Sequence, residues 1–188
     1  VSRTLQGQGP SIRGMVMPEK DEQIIKHVAR YGVSIRAVIE KLYFGERSSD
    51  HVVNRLVHEG RLVSRSGIPG GIAHYQLSLQ EARARSVPDH RARPKRSASL
   101  REAIQVLWFC CMGEKRRNRV ERRHLRNNYP ISKGMGKPHC AEVEGESAVM
   151  YRVYAPGPNS RDDYLLKVLR EDYDAALRVE QLRAWLEE

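Results

Sequence analysis

The segment at residues 48–60 carries side chains whose types and spacing suit the recognition of a nucleic acid. His51, Asn54 and His58 follow one another at intervals of three and four residues, which places them on one face of a helix, with Arg55 beside them. Such side chains hydrogen-bond base edges and phosphate oxygens. We therefore predict that four residues read DNA bases: His51, Asn54, Arg55 and His58.

Basic and polar residues around this segment extend the predicted DNA surface. They are Arg36, Lys41, Arg47, Ser49, Arg61 and Arg65. Four of them are predicted to hold phosphates, namely Arg47, Ser49, Arg61 and Arg65. A second basic stretch at 115–126 predicts further phosphate contacts through Arg116, Arg117 and Arg119.

The sequence lacks the local patterns that catalysis, cofactors or metals require. The Gly-rich segment 67–71 has no Gly-Lys-Ser/Thr of a phosphate-binding loop, and no His-Glu-x-x-His or Cys-x-x-Cys pair occurs. Three cysteines, Cys110, Cys111 and Cys140, have no disulfide-framework spacing, which favours a reducing compartment. We predict no catalytic residue, no cofactor, no metal site and a cytoplasmic location.

Composition favours a polyanionic partner. Lys and Arg number 33 against 23 Asp and Glu, so the chain carries a formal charge of +10. A basic surface attracts nucleic acid and also anionic membranes. The sequence contains no apolar run of about 18 residues and no signal peptide. Double-stranded DNA is therefore the predicted partner, and no membrane association is expected.

The N-terminal half predicts a winged helix over 18–86, preceded by a flexible terminus at 1–17. Helices are expected at 18–31, at 34–44 with Ser34 as its cap, and at 48–59. Strands at 61–65 and 72–77 then form a hairpin around a Gly-rich turn. Three helices followed by a hairpin place the third helix in the major groove and the hairpin on the DNA backbone.

The C-terminal half predicts a small α/β domain at 99–188, after a basic linker at 87–98. The linker is either solvated charge or a segment that follows phosphates. A capping box at Ser99–Glu102 opens an apolar helix that should be buried on most sides. Two strands at 140–143 and 148–155 and a helix at 161–188 follow. The predicted fold class is α+β, with the C-terminal domain serving dimerisation or added DNA contacts.

The order of these elements resembles the replication-relaxation family of bacterial plasmids, phages and integrative elements. The matching residues are Asp21-Glu-Gln-Ile-Ile, Leu42-Tyr-Phe-Gly, Asn54-Arg-Leu-Val-His-Glu-Gly-Arg-Leu and Tyr75-Gln-Leu. They span about residues 18–80. The resemblance implies a winged helix joined to a restriction-nuclease-like C-terminal domain.

That nuclease-like domain would be degenerate in this chain. The family pattern implies a Pro-Asp on one strand and an acidic residue with a nearby Lys on the next, the set that metal-assisted phosphodiester cleavage needs. Here His139 follows Pro138, and Tyr151-Arg-Val-Tyr154 stands where the acidic residue and Lys would lie. Glu142 and Glu144 are close together but lack that Lys. Cleavage is therefore not expected.

Three functions remain open at the level of sequence. The first is a homodimeric, sequence-specific DNA-binding protein of a mobile element that regulates transcription or serves replication or maintenance. The second is a nuclease or relaxation factor at a plasmid origin. The third is a winged helix that docks another protein, which predicts an even spread of basic residues around the fold.

Overall fold

The computed structural model describes residues 19–45, 47–120, 139–144, 147–154 and 167–171. The terminus at 1–17 lies outside these ranges. The described residues form a mixed α+β fold, with helices in the N-terminal part and two small antiparallel sheets. None of the helices in these ranges has the length and apolarity that a membrane span requires.

The first helix forms as predicted. Helix α1 spans Glu19–Tyr31, and acidic side chains in its first turn complement the helix dipole. Its apolar stripe, Ile24, Ile25 and Val28, is fully buried. Gly32 ends it with a φ of 71°, and its amide donates to the Val28 carbonyl at 2.8 Å.

The second helix begins later than predicted because Ser34 belongs to a strand. Strand β1, Ser34–Ile35, pairs antiparallel with a later strand, and the Ser34 hydroxyl hydrogen-bonds His27 Nε2 at 3.0 Å instead of capping a helix. Helix α2 runs over Arg36–Ile39 and continues as a π-helical turn at Glu40–Phe44. Pairing with the later strand satisfies backbone groups of the strand residues, and the N-cap position of α2 is Ile35, which provides no side-chain cap.

The third helix and the hairpin follow the predicted order. Helix α3 spans Asp50–His58 and buries Val53 and Leu56. Strands β2, Leu62–Arg65, and β3, His74–Leu77, pair antiparallel. The sheet order is β1-β3-β2. These elements enclose one hydrophobic core whose buried members are Ile24, Ile25, Val28, Ile39, Val53, Leu56, Leu62, Tyr75, Leu77, Ala82 and Ala92.

The segment predicted as a linker is folded over part of its length. Helix α4, Leu79–Ala84, precedes this segment and is capped by Ser78, whose hydroxyl accepts from the Glu81 amide at 3.1 Å. Helix α5, Asp89–Ala92, then buries Ala92 in the first core. The Gln76 side-chain amide donates to the Arg91 and Arg93 carbonyls at 3.1 and 3.2 Å. These bonds attach the segment to β3.

The apolar helix α6 spans Ser97–Cys111 and starts two residues before the predicted capping box. Its N-cap position is Arg96, and no side chain caps it. Leu100, Val106, Leu107, Cys110 and Cys111 are buried. Trp108, in contrast, is 52% exposed, so the helix is not buried on all of its apolar sides.

The second sheet has the order β4-β5-β6-β7, and all of its pairs are antiparallel. Its strands are β4, Asn118–Val120; β5, His139–Glu144; β6, Ser147–Tyr154; and β7, Lys167–Glu171. Part of the helix predicted at 161–188 is wrong, because residues 167–171 form strand β7. This strand pairs with the edge of β6, and the periodicity of the sequence does not reveal such a partner. The other residues of that predicted helix lie outside the described ranges.

A second hydrophobic core joins the N-terminal part to α6 and the second sheet. Its buried members are Tyr31, Ile35, Val38, Val106, Leu107, Cys110, Cys111, Cys140 and Val153. Residues from α1, β1 and α2 thus pack directly against residues from α6, β5 and β6. The orientation of α3 is therefore fixed relative to the C-terminal part.

Candidate nucleic-acid interface

The outer face of α3 presents three polar side chains in one row. His51, Asn54 and His58 are all exposed, while Val53 and Leu56 on the opposite face are fully buried. The amphipathic pattern of α3 fixes this orientation, because rotating the helix would expose its apolar face. Hydrogen-bonding groups at this spacing can contact successive base pairs in a groove.

Arg55 was predicted to read bases, but it forms an ion pair within the fold. Its Nη2 atom donates to both carboxylate oxygens of Asp21 in α1, at 2.6 and 2.7 Å. The Asp21 side chain is only 4% exposed and the Arg55 side chain 35%. Arg55 therefore ties α3 to α1, and base contact would require this pair to open.

Two predicted DNA contacts are also held by carboxylates. Arg36 pairs with Asp50 in the first turn of α3, and its Nη2 donates to the Tyr75 hydroxyl at 3.1 Å. Arg61 pairs with Glu81 at 2.8 Å, with both side chains about 15% exposed. Arg61 thus joins β2 to α4 and offers little surface to a partner.

Ser49 and Lys41 are likewise engaged within the chain. Ser49 is buried, and Glu40 Oε1 accepts from its amide at 3.0 Å and from its hydroxyl at 3.2 Å. The Lys41 ammonium donates to the Met112 carbonyl at 2.9 Å, at the end of α6. The Ser49 hydroxyl is therefore not available to bind a phosphate. Lys41 links the π-helical turn after α2 to the end of α6.

Arg47 and Arg65 are predicted phosphate contacts whose side chains remain accessible to solvent. Arg47 is exposed just before the helix. Arg65 is half-buried at the end of β2, opposite His74. His74 is buried without a hydrogen-bond partner for either ring nitrogen, and burial followed by the charges of Arg65 and Lys95 lowers its pKa. Arg65 therefore lies at the end of β2 next to a histidine whose pKa is lowered.

The loop between β2 and β3 is exposed at its tip and anchored at its base. Pro69, Gly70 and Gly71 form an exposed 3-10 turn, and Gly70 has a φ of 81° that a larger residue would not adopt easily. Ile68 packs against the second core. A methyl group at Gly67 would lie 3.4 Å from a Leu100 methyl. Helix α6 therefore anchors the base of this loop.

Two arginines in the described part of the basic stretch after α6 are engaged in contacts within the fold. Arg117 pairs with Glu142 at 3.0 Å and lies over the Phe109 ring at 4.5 Å from its centroid. Arg119 donates to the Tyr31 carbonyl at 3.0 Å, and burial lowers its pKa. Only Arg116 among the three predicted contacts here is exposed. Residues 121–126 of this stretch lie outside the described ranges.

The sequence did not predict a polar cavity that lies between α1, the π-helical turn after α2, and β4. Lys26, Arg30 and Arg116 line it, together with His27 and Tyr43. The available signal was the spacing of Lys26 and Arg30, four residues apart on the exposed side of α1. Arg116 reaches them only because the second core brings the end of α6 beside α1.

His27 makes the stability of the fold sensitive to acid. Burial, followed by the charges of Arg116 and Arg30, lowers its pKa from 6.5 to about 3. Below pH 6.5 the unfolded chain gains a proton that the folded chain excludes, so the free energy of unfolding falls as the pH is lowered. We expect a loss of about 2 kcal/mol between pH 7 and pH 5 from this group alone.

Urea unfolding at the two pH values measures this loss. The carboxylates of Glu22 and Glu81, whose pKa values Arg85 and Arg61 lower, add to acid destabilisation mainly at lower pH. The comparison is therefore between the native chain and His27→Gln. The variant should lose about 2 kcal/mol less than the native chain, and an equal loss in both proteins would contradict the assignment.

Within the described part of the chain, no group of three or more His, Cys, Asp or Glu residues is placed to hold a metal ion. Comparison with known proteins adds no relative: no family model matches the chain, and neither the curated proteins nor the solved structures give a significant match.

Proposed function

We propose that the chain binds double-stranded DNA as a winged helix, with α3 in the major groove. The observation that carries the proposal is the exposed row of His51, Asn54 and His58, together with an exposed Gly-rich hairpin loop. The element order α1-β1-α2-α3-β2-β3 and the sheet order β1-β3-β2 suit this architecture. His51, Asn54 and His58 then read bases.

The phosphate contacts are assigned to fewer residues than the sequence suggests. Arg47 precedes α3 and Arg65 ends β2, and these two are assigned to phosphate contacts. Arg36 and Asp50 are both partly exposed, with side chains 41% and 53% accessible, and a phosphate can replace the carboxylate as partner of Arg36. Binding should therefore depend on few cations and on base contacts to a large degree.

We further propose a homodimer that recognises an inverted repeat and acts as a transcriptional regulator or a replication or maintenance factor of a mobile element. Binding without cleavage is part of the proposal. Incubation with supercoiled plasmid and Mg²⁺ or Mn²⁺ tests this point, because nicking that requires the protein would favour a nuclease or relaxation factor instead.

Asn54→Ala should weaken binding to a selected DNA site by about 1–3 kcal/mol and relax the base preference at one position. The reason is that an Asn amide at this position can make a bidentate contact to one base. Fluorescence anisotropy with a labelled duplex measures the loss. Gln80→Ala removes an exposed amide from α4 and serves as the control, with no expected change. Equal affinities for the native chain and Asn54→Ala would mean that α3 does not belong to the interface.

A protein-docking module is the second candidate. It is favoured by the carboxylates that neutralise Arg36, Arg55, Arg61 and Arg117. Exposed Ile72 and Leu79 add apolar surface near the hairpin and α4. This function predicts no saturable binding to any duplex at physiological salt, whereas the DNA-binding function predicts an enriched sequence.

A further inference from the structure

Two of the three cysteines meet in the second core, although they lie 30 residues apart in the sequence. The Cys110 thiol donates to the Cys140 sulfur, and the two Sγ atoms are 3.3 Å apart. Both residues are free thiols and fully buried. Neither residue belongs to the proposed DNA interface, so the chemistry of this pair is independent of the proposed function.

Cys140 is held in the interior of the second sheet. Its strand β5 lies between β4 and β6, and Cys140 is paired with Arg119 on one side and with Tyr151 on the other. Its side chain is buried in the second core, and a shift of one residue along the strand would turn it to the opposite face of the sheet. The register of the sheet therefore fixes the position of this thiol.

Cys110 lies in the last turn of α6, and contacts beside it attach this turn to the same sheet. The Phe109 ring packs edge-on against the Tyr151 ring, with centroids 5.5 Å apart. The Arg117 amide donates to the Cys110 carbonyl at 2.9 Å, and the Arg117 guanidinium pairs with Glu142 of β5 at 3.0 Å. The end of α6 is thus held against β5 and β6 by groups other than the thiols.

The fold therefore brings the two thiols close to the geometry of a disulfide bond. The Sγ atoms are 3.3 Å apart and a disulfide bond is about 2.05 Å long, so each sulfur has to move by less than about 1 Å. In the unfolded chain the same bond has to close a loop between residues 30 apart, which costs conformational entropy. Oxidation of this pair is consequently favoured in the folded chain.

We propose that Cys110 and Cys140 form a reversible disulfide site, which is oxidised by exchange with a small-molecule disulfide such as oxidised glutathione. The thiolate of one cysteine attacks a glutathione sulfur, the glutathione S–S bond breaks, and one reduced glutathione leaves. The thiolate of the other cysteine then attacks the protein sulfur of the mixed disulfide and releases the second glutathione. Two electrons pass from the cysteines to glutathione, and the two thiol protons end on the two released glutathione thiolates.

The exchange is slow in both directions because the site is buried. The hydrogen bond to Cys140 and burial both raise the pKa of the Cys110 thiol, so little thiolate is present at neutral pH. Glutathione also reaches the two sulfurs only when the core around them opens locally. The same burial protects the disulfide from reductants once it has formed. Equilibrium therefore has to be approached from the reduced and from the oxidised chain.

Equilibration of the whole chain in a glutathione redox buffer tests the proposal, with mass spectrometry of acid-quenched samples to detect the loss of two hydrogen atoms. We expect the equilibrium constant for disulfide formation to be on the order of 100-fold larger in the folded chain than in urea-unfolded chain. A bond that the folded state favours stabilises that state by the same factor, so the oxidised chain should have a Tm about 5 °C or more above that of the reduced chain. Equal equilibrium constants in the folded and unfolded chain would overturn the proposal.

Alanine variants identify the bonded pair. Cys111 is the matched control, because it is the neighbouring buried cysteine of α6 and lies about 100° farther around the helix axis. Cys111→Ala should keep the preference of the folded chain for the disulfide, whereas Cys110→Ala and Cys140→Ala should lose it. If the last two variants do not fold, Cys111→Ala still decides, since it leaves Cys110 and Cys140 as the two thiols of the chain. Loss of the disulfide in Cys111→Ala, or a bond between two chains instead, would contradict the assignment.

Discussion

Replacing Arg55 by Ala should lower the free energy of unfolding by about 3–5 kcal/mol, near the lower end of that range. In the native chain the Asp21 side chain is 4% exposed, and the Arg55 guanidinium donates to both of its carboxylate oxygens. The substitution removes that guanidinium and leaves the carboxylate without this partner. Because the Arg55 side chain is itself about one-third exposed, part of the interaction is screened by water. Urea unfolding followed by circular dichroism measures the loss.

Arg47→Ala is the matched control for this experiment. Arg47 is exposed and precedes α3, so its removal should change stability by less than about 0.5 kcal/mol. The double variant Asp21→Ala with Arg55→Ala should lose less than the sum of the two single losses, because no unpaired charge stays buried. Unchanged stability in Arg55→Ala, with loss of sequence preference, would instead make Arg55 a base-reading residue.

Replacing Leu107 by Ala should lower the free energy of unfolding by about 2–5 kcal/mol. Leu107 is fully buried in the second core, between residues of α1 and α2 on one side and residues of the second sheet on the other. The truncation leaves a cavity at the contact that joins the two parts of the chain. Thermal unfolding should still show one transition, shifted to lower temperature.

Trp108→Ala provides the control in the same helix. Trp108 is 52% exposed, so its truncation removes less packing and should cost clearly less than the loss at Leu107. If Leu107→Ala splits the unfolding curve into two transitions, the parts are coupled only weakly. If it has no effect, the shared core does not contribute to stability.

The elements that sequence predicted well are those formed by local periodicity. Helices α1 and α3 and the hairpin β2–β3 follow apolar spacing and glycine positions that lie within one segment. Strands β1 and β7 were missed because each depends on a distant partner, β3 and β6 respectively. The short helix α5 was not predicted, because the hydrogen bond that holds it comes from a distant residue. The side-chain amide of Gln76 in β3 donates to the Arg91 carbonyl of this helix.

The candidate interface shows the same limit. The polar row on α3 was predictable, since three residues of one helix define it. The pairing of the basic side chains with carboxylates was not predictable, because Asp21 and Arg55 are 34 residues apart in the sequence and Arg61 and Glu81 are 20 apart. A count of basic residues cannot show which of them the fold has already neutralised. Arg119 illustrates this, since it is partly buried and donates to the Tyr31 carbonyl although it lies in the most basic stretch.

If the exposed row on α3 reads DNA sequence, selection of bound duplexes from a random pool should enrich a specific motif. The selected duplex is then titrated at two salt concentrations with the native chain and with the triple variant His51→Ala, Asn54→Ala, His58→Ala. We predict an enriched inverted repeat, bound at least about 10³-fold more tightly than scrambled DNA by the native chain. The triple variant should retain only the salt-dependent, sequence-independent part of the affinity. A pool without an enriched motif, or a motif that the triple variant binds equally well, would contradict the claim.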